Sequence, residues 1–287
     1  MTKSPLIIVD SSVDLTQEFC KEREVIVLPF AININNKEYF DGVDIDTVQL
    51  FGFVEQTKKL PKTAARSTAD MIDLVNKHRA DGQEVIWISI SSILSSNGIN
   101  AKMAMQQLGD EQGGFYYVDS KSLSGGVSIL VKIACDLRDE GKNAKEIADT
   151  LREQSQNIQA SFVVETLEYL HKGGRCSGVV ALIGGILKIR PSLKLVDGAI
   201  TVGKKYKGSY DKVVECFVND TIDLNPNYDS SLCVITHCLQ TEEMLQAIQE
   251  QINLKSKFNN IMIINTGSTI ATHCGKGTIG LFWLNKG

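Results

Sequence analysis

Six polar side chains, Ser89, Ser91, Ser92, Ser95, Ser96 and Asn97, crowd into residues 89–97, directly behind the apolar run Val85-Ile86-Trp87-Ile88. That run is β-branched and aromatic and has the length of a strand. Beyond the polar cluster, Ala101, Met105 and Leu108 recur at helical spacing. Strand, hydroxyl-rich loop and helix start make up the geometry in which α/β proteins hold anions. Free N–H groups at the helix N-terminus face the ligand, and the macrodipole favours negative charge. A carboxylate leaves water only if it gains several hydrogen bonds. Hydroxyls and loop N–H groups supply those without a balancing cation. The expectation is a loop around Ser95 that grips an acidic head group. The glycine-spaced apolar run 178–187, with the Trp283 region, then lines a slot for an alkyl tail, each buried methylene contributing about 0.8 kcal/mol. The plainer reading of such a run is ordinary core.

Other chemistries fit less well. Gly275-Lys276-Gly277-Thr278 lacks the Gly-x-x-x-x-Gly-Lys-Ser/Thr spacing of a phosphate loop. There is no Gly-x-Ser-x-Gly elbow, and nothing singles out a carboxylate to orient a histidine. Paired carboxylates and metal-type histidine clusters are missing. Cysteines 20, 135, 176, 216, 233, 238 and 274 stand singly, without Cys-x-x-Cys spacing. That pattern predicts reduced thiols in a cytoplasmic protein and no zinc site. No catalytic residue, metal or cofactor is therefore expected. The competing reading is an enzyme of the serine-hydrolase or small-molecule kinase class, with Ser95 as nucleophile or His273 as base.

Periodicity identifies the elements that must position these residues. Leu6-Ile7-Ile8-Val9 is a buried strand, and Asp10 or Ser11 caps the next helix. Residues 25–34 read as one strand with Pro29 inside it, hence an edge or strand end. Asn35-Asn36 turns the chain back into 37–40. Asp46 caps a short helix, residues 60–67 are a loop, and Ser67 with Asp70 caps another helix. His78 lies at the surface. A strand at 115–118 ends in Asp119-Ser120, and an apolar helix over 125–138 is buried. Ala144, Ile147, Ala148, Leu151 and Ile158 form an amphipathic stripe. Alternating strands and helices predict a doubly wound, largely parallel sheet, with hydroxyl clusters after Val9, Ile90 and Val118 at its carboxyl edge. The second half changes character. A hairpin over 193–202 turns at Asp197-Gly198, residues 204–208 form a basic loop, and further strands lie at 233–237 and 261–265. This predicts two α/β domains, 1–159 and 160–287, the second with a mixed or antiparallel sheet.

The bulk composition agrees. A chain of 287 residues with 43% hydrophobic content can bury two cores. A net charge of −4 excludes a general nucleic-acid binder. No apolar run approaches the ~20 residues that span a bilayer, and the N-terminus carries no signal-peptide core. A transient contact with a membrane surface is compatible with these features.

Several blocks together resemble the DegV family of bacterial fatty-acid-binding proteins. They are Val9-Asp10-Ser11-Ser12-Val13-Asp14-Leu15, Lys62-Thr63-Ala64-Ala65-Arg66-Ser67, Ser91-Ser92-Ile93-Leu94-Ser95, Asp119-Ser120-Lys121, Leu167 through Arg175 with Gly173-Gly174, Leu187-Lys188-Ile189-Arg190-Pro191 and His273-Cys274-Gly275-Lys276-Gly277. The likeness covers nearly the whole chain. It implies two α/β domains with a fatty acid in a tunnel between them. The protein would be a non-catalytic subunit presenting a long-chain fatty acid to a fatty acid kinase for acyl-phosphate formation. By position it puts the carboxylate on Thr63 and Ser95 with His273 beside them, and makes Arg175 and Lys207 the docking surface for the kinase. The family's Leu-Ser-Gly-Thr is here Leu94-Ser95-Ser96-Asn97, its Ser-Gln-Pro is Ala64-Ala65-Arg66, a proline is Lys276 and an arginine is Lys207. Ser96, Asn97 and Arg66 become additional head-group candidates. Lysine cannot reproduce arginine's forked contacts. These changes bear on ligand choice, leaving another amphipathic acid as an alternative, and on kinase partnership more than on the fold.

Overall fold

The computed structural model describes residues 3–182 and 189–287. The strands are β1 (Leu6–Asp10), β2 (Val25–Leu28), β3 (Ala31–Ile34), β4 (Lys37–Phe40), β5 (Lys62–Ala64), β6 (Val85–Ser89), β7 (Phe115–Asp119), β8 (Ile158–Val163), β9 (Ile189–Val196), β10 (Ala199–Lys207), β11 (Tyr228–His237), β12 (Ile261–Asn265) and β13 (Ile279–Asn285). The helices are α1 (Gln17–Glu22), α2 (Thr47–Thr57), α3 (Thr68–His78), α4 (Ser96–Gln107), α5 (Gly125–Asp139), α6 (Ala144–Gln154), α7 (Glu168–Gly173), α8 (Tyr210–Leu224), α9 (Glu242–Lys255) and α10 (Ser268–Cys274).

The strands form three sheets. β2-β1-β6-β7 are all parallel. β10-β9-β8-β13-β11-β12 are antiparallel except for β11 beside β12. β4-β3-β5 is a short antiparallel sheet. The α/β class with a parallel sheet followed by a mixed one is as the sequence predicts. Every residue of β1 and β6 is buried. That is why both read as unbroken apolar runs. Their period of two divides the side chains between two helical layers. Ile7, Val9, Ile86 and Ile88 meet α5 and α6, while Ile8, Val85 and Trp87 meet α3 and α4.

Helix α5 is the layer the two larger sheets share. Val127, Leu130 and Val131 face the parallel sheet, and Ile129 joins Phe162, Val234 and Phe282 of the mixed sheet. Its first residue must be small, because a Cβ at Gly125 would lie 2.6 Å from the Phe282 ring.

Local chemistry sets the turns. Asn35 and Asn36 both have positive φ (49° and 64°), as do Asp197 (49°) and Gly198 (82°), the requirement of two-residue hairpins. Capping boxes start α2 (Asp46 with Gln49) and α3 (Ser67 with Asp70).

Several expectations need correction. Residues 25–34 are two strands in two sheets. The chain leaves the parallel sheet at Pro29, which has no N–H to donate, and Phe30 enters the core between the sheets. The segment 60–67 is not all loop, since Lys62–Ala64 pairs with β3. Ile158 opens β8 rather than extending the stripe of α6. Lys204 to Lys207 continue β10. Of the run 178–187, residues 183–187 lie outside the described residues, as does Lys188. Val179 is core. Trp283 packs with Tyr228 and Phe258 under α8 and α9, on the face of the mixed sheet away from Ser95, so it lines no slot there.

Gly125→Ala should destabilise the fold by about 1–3 kcal/mol through overpacking, even though alanine is the better helix former. Urea unfolding checks this, and an unchanged midpoint would mean the α5–Phe282 contact is loose.

Candidate functional site

The loop after β6 is held from beneath by Asp10. This aspartate is fully buried at the carboxyl end of β1, accepting the N–H of Ile90 (3.0 Å) and the amide N–H of Asn97 (3.2 Å). Burial pushes its carboxyl above the ordinary range, against the pull of the donors from Ser12, Ile90 and Asn97. Asn97 Oδ1 in turn accepts the N–H of Arg66 (3.1 Å), and Asn100 donates to the Arg66 carbonyl (2.7 Å). One relay therefore ties β1, the start of α4 and the turn that comes after Thr63.

Ser95 is the N-cap of α4, its Oγ accepting the Asn97 N–H (3.2 Å). The first N–H groups of a helix lack intrahelical partners, and those of α4 begin here. Across from Ser95, Thr63 Oγ1 lies 2.8 Å from His273 Nε2. Thr63, set opposite Ile32 in the small sheet, comes from β5, and His273 from the last turn of α10. Ser95, Thr63, His273 and Arg175 line one cavity with apolar side chains, among them Leu94, Leu170 and Ile270. The described residues leave about 40 Å³ there.

The His273 ring stays neutral. Burial, with the nearby Arg175 charge, pulls it from 6.5 down to about 4. Its Nδ1 is buried and unpartnered among the described residues. Gly173 lies so close that a Cβ would sit 2.6 Å from that nitrogen. With the proton on Nε2, the ring donates to Thr63, and the threonine hydroxyl hydrogen is free for a second acceptor.

Apart from Arg175, the remaining candidates lie elsewhere. Asn97 is buried with its amide committed to Asp10 and Arg66, not turned to the cavity. Ser96 is exposed. Arg66 stacks over Phe40 at 4.7 Å and pairs with Asp70 at 3.2 Å. Lys207 is exposed at the end of β10, away from the cavity lining. Arg175 reaches the carbonyls of Leu94 and Gly173. Asp10 caps the short turn of helix after β1, accepting the Ser12 N–H, as the sequence predicts, but its hold on Ile90 and Asn97 and the structural roles of Asn97 and Gly173 are not legible in the sequence. The doublet Gly173-Gly174 is the one available signal.

Outside the Thr63–His273 pair is a second cleft of about 660 Å³, lined by Lys58, Lys59, Lys62, Lys172 and Arg175. The C-terminal ends of α2, α7 and α10 converge on it. Cations at three carbonyl-rich helix ends offset the macrodipoles. A larger groove of about 680 Å³ runs between β2 and β12, with Asp14, Asp41 and Asp46 in its lining. Among the described residues no group of three or more His, Cys, Asp or Glu is placed to hold a metal ion, and no helix is long and apolar enough to cross a membrane.

The model of a family described as "Uncharacterised protein, DegV family" matches residues 5–286. The chain is 27% identical over 280 residues to a DegV domain-containing protein of Clostridium acetobutylicum, covering 98% of each. It is 28% identical over 286 residues to one from Staphylococcus aureus, covering all of both. Its fold superimposes on a fatty-acid-binding DegV family protein from Thermus thermophilus with a TM-score of 0.89 (24% identity, 99% of this chain and 100% of that one). It likewise superimposes on a fatty acid binding DegV family protein from Streptococcus agalactiae, with a TM-score of 0.87 (24% identity, 100% of each). A DegV family protein from Ruminococcus gnavus with vaccenic acid gives 0.81 (20% identity, 97% of this chain and 99% of that one).

The folded ring takes its proton near pH 4 and the unfolded ring near 6.5, so the unfolded state binds more protons in between. The His273 contribution to stability is complete above pH 6.5 and is lost as pH falls toward 4. His237, also held down by burial, acts in the same direction. His273→Gln should therefore flatten the fall in urea midpoint between pH 6.5 and 4, and NMR should place the His273 titration near 4. A midpoint near 6.5 would show a ring open to water.

Proposed function

The chain belongs to the DegV family, and we propose that it binds a long-chain fatty acid whose carboxylate is held by Ser95, Thr63 and His273. The observation that carries this reading is the polar wall of an otherwise apolar cavity. On one side is the capped N-terminus of α4, on the other a threonine hydroxyl backed by a neutral imidazole. The α4 N–H groups and the Ser95 and Thr63 hydroxyls can donate to the ligand, the imidazole giving its proton to Thr63, and the helix end favours an anion. Arg175, in the same lining, adds a positive charge. The fatty acids of the T. thermophilus, S. agalactiae and R. gnavus relatives support the ligand class.

The groove between β2 and β12 is roomier, but an acid head there meets the carboxylates of Asp14, Asp41 and Asp46. Hydrolysis is the weaker reading. His273 engages Thr63 rather than Ser95, and its Nδ1 has no carboxylate to orient it among the described residues.

The rest of the proposal is organisation and partnership. The lobes divide near 159/160, where the chain enters β8, and the tail runs between them. Small-molecule pockets occupy roughly 300–1,000 Å³, so a bound tail parts the side chains now closing the cavity. The carboxylate end faces the Thr63–His273 wall and the basic cleft beyond it. A fatty acid kinase would dock on Arg175, which lines that cleft, and on Lys207 at the end of β10, and phosphorylate the acid, this chain contributing no catalysis of its own. The cysteines are all free thiols, which supports a reducing cytoplasm.

Native mass spectrometry after incubation with palmitate or oleate should show a one-to-one adduct. Ser95→Ala and Thr63→Ala should each weaken binding about tenfold, the loss of one hydrogen bond to a charged group. A protein that takes up neither acid overturns the reading. A loaded protein that no fatty acid kinase subunit can phosphorylate with ATP overturns the partnership alone.

A further inference from the structure

Thr63 and His273 are 210 positions apart, and their 2.8 Å contact depends on how the small sheet is set against α10. We propose that Asp41 is a positioning residue that clamps the β4-β3-β5 sheet to α10 and so holds Thr63 against His273. The proposal rests on reading that pair as the head-group clasp.

Asp41 directly follows β4 and is 5% exposed. Its Oδ1 accepts the N–H of Ser268 (2.9 Å). Its Oδ2 accepts the N–H of Thr269 (3.1 Å) and the Ser11 hydroxyl (2.9 Å). The two N–H groups open α10 and have no partner within the helix. Asp41's own N–H donates to the Phe30 carbonyl (3.0 Å), so the clamp is fixed on the sheet side too. From there the connection is a ladder. Phe40 pairs with Ala31, and Ile32 pairs with Thr63. The small sheet therefore touches α10 at both ends, through Asp41 at its first turn and Thr63 at its last. A helix of seven residues is about 10 Å long and transmits a shift at one end to the other. Between the two points Ile32, Ile34, Leu50 and Phe51 pack with Ala271.

Asp14 also reaches the start of α10, accepting the Gly267 N–H (2.8 Å). It belongs to the turn after β1 and not to the small sheet, so it fixes α10 without fixing Thr63. Asparagine at position 41 keeps one acceptor oxygen and loses the other, and alanine loses both.

The His273 imidazole is the reporter, identified by its loss in His273→Gln. In Asp41→Ala the ring gains water, and its NMR titration should rise from about 4 to about 5 or above as the burial cost relaxes. Arg175, the charged group acting on the ring, is unaltered. Asp41→Asn should fall between. Ile45→Ala, a packing loss in the same seam, should lower stability and leave the titration in place. Fatty-acid affinity should fall about tenfold in Asp41→Ala. A folded Asp41→Ala or Asp41→Asn protein that titrates like the parent overturns the proposal, as does an equal rise in Ile45→Ala. If the alanine variant does not fold, the asparagine variant decides. A parent protein that binds no fatty acid sinks the function proposed above, while the titration still judges the clamp.

Discussion

Three buried aspartates tie together the segments that carry the candidate site. Asp10, Asp14 and Asp41 are each under 10% exposed, and each accepts backbone N–H groups from a segment distant in sequence. Asp10 takes Ile90, Asp14 takes Gly267, and Asp41 takes Ser268 and Thr269. Burying a carboxylate costs several kcal/mol unless its oxygens are satisfied. Burial accordingly lifts the Asp10 and Asp14 carboxyls above their ordinary range. The arrangement survives because the donors have the same problem. They are loop and helix-start N–H groups that no ladder would otherwise satisfy. Acceptor and donor solve each other's desolvation, and the chain path that brings them together is thereby specified. Everything at the candidate site hangs from these bonds, with the loop of Ser95 on Asp10 and the helix of His273 on Asp14 and Asp41.

The parallel sheet is legible in the sequence because burial on both faces leaves a mark in composition. Leu6-Ile7-Ile8-Val9 and Val85-Ile86-Trp87-Ile88 can be little else. The Asn-Asn and Asp-Gly turns and the caps of α2 and α3 are legible because their chemistry is local. Sheet membership is not. Pro29 signals a strand end, but a proline does not say that the next strand joins another sheet. Lys62-Thr63-Ala64 is too short and too polar to read as a strand, and its pairing comes entirely from β3. Trp283 is large and apolar, which by itself suits a ligand slot as well as a core. In a strand buried on both faces, which face a residue takes depends on a register set elsewhere. Around the site, Ser95 stands out from its own loop, whereas Thr63, and His273 as a head-group ligand, stand out only through the resemblance. Asn97 reads as a head-group candidate because it stands in the Ser95 loop where the family pattern has a threonine. Its role as a bracket depends on Asp10, 87 positions away.

The two sides of the Thr63–His273 pair differ in field. Inside, the N-terminus of α4 presents positive half-charge. Outside, three helix C-termini present negative half-charge, offset by Lys58, Lys59, Lys62, Lys172 and Arg175. A neutral His273 separates the two without adding charge to either. Were the ring charged, it would compete with the α4 terminus for the same anion. It would also need a counterion, and no carboxylate side chain stands among the described residues of the cavity lining. Burial keeps water from Nδ1, the nitrogen that would otherwise be protonated, and a residue without a Cβ at 173 leaves room for the ring.

The small volume beside Ser95 fixes how affinity must be divided on the proposed reading. An alkyl tail entering a closed apolar core exchanges one set of dispersion contacts for another. Its gain is the water it leaves, about 0.8 kcal/mol per methylene. Its cost is the parting of side chains such as Leu94, Leu170 and Ile270, which line the gap. The gap is about 40 Å³, so later carbons part side chains too, and the net gain per carbon is smaller than about 0.8 kcal/mol. Short acids therefore bind poorly however well their carboxylates are held, and chain length sets affinity. The head group contributes register instead. A carboxylate fixed between α4 and Thr63 places the first carbons, and the tail has no polar group with which to slip. On this reading the hydroxyl-rich loop is a stop at one end of an apolar slot, which fits a lining that is more than half apolar.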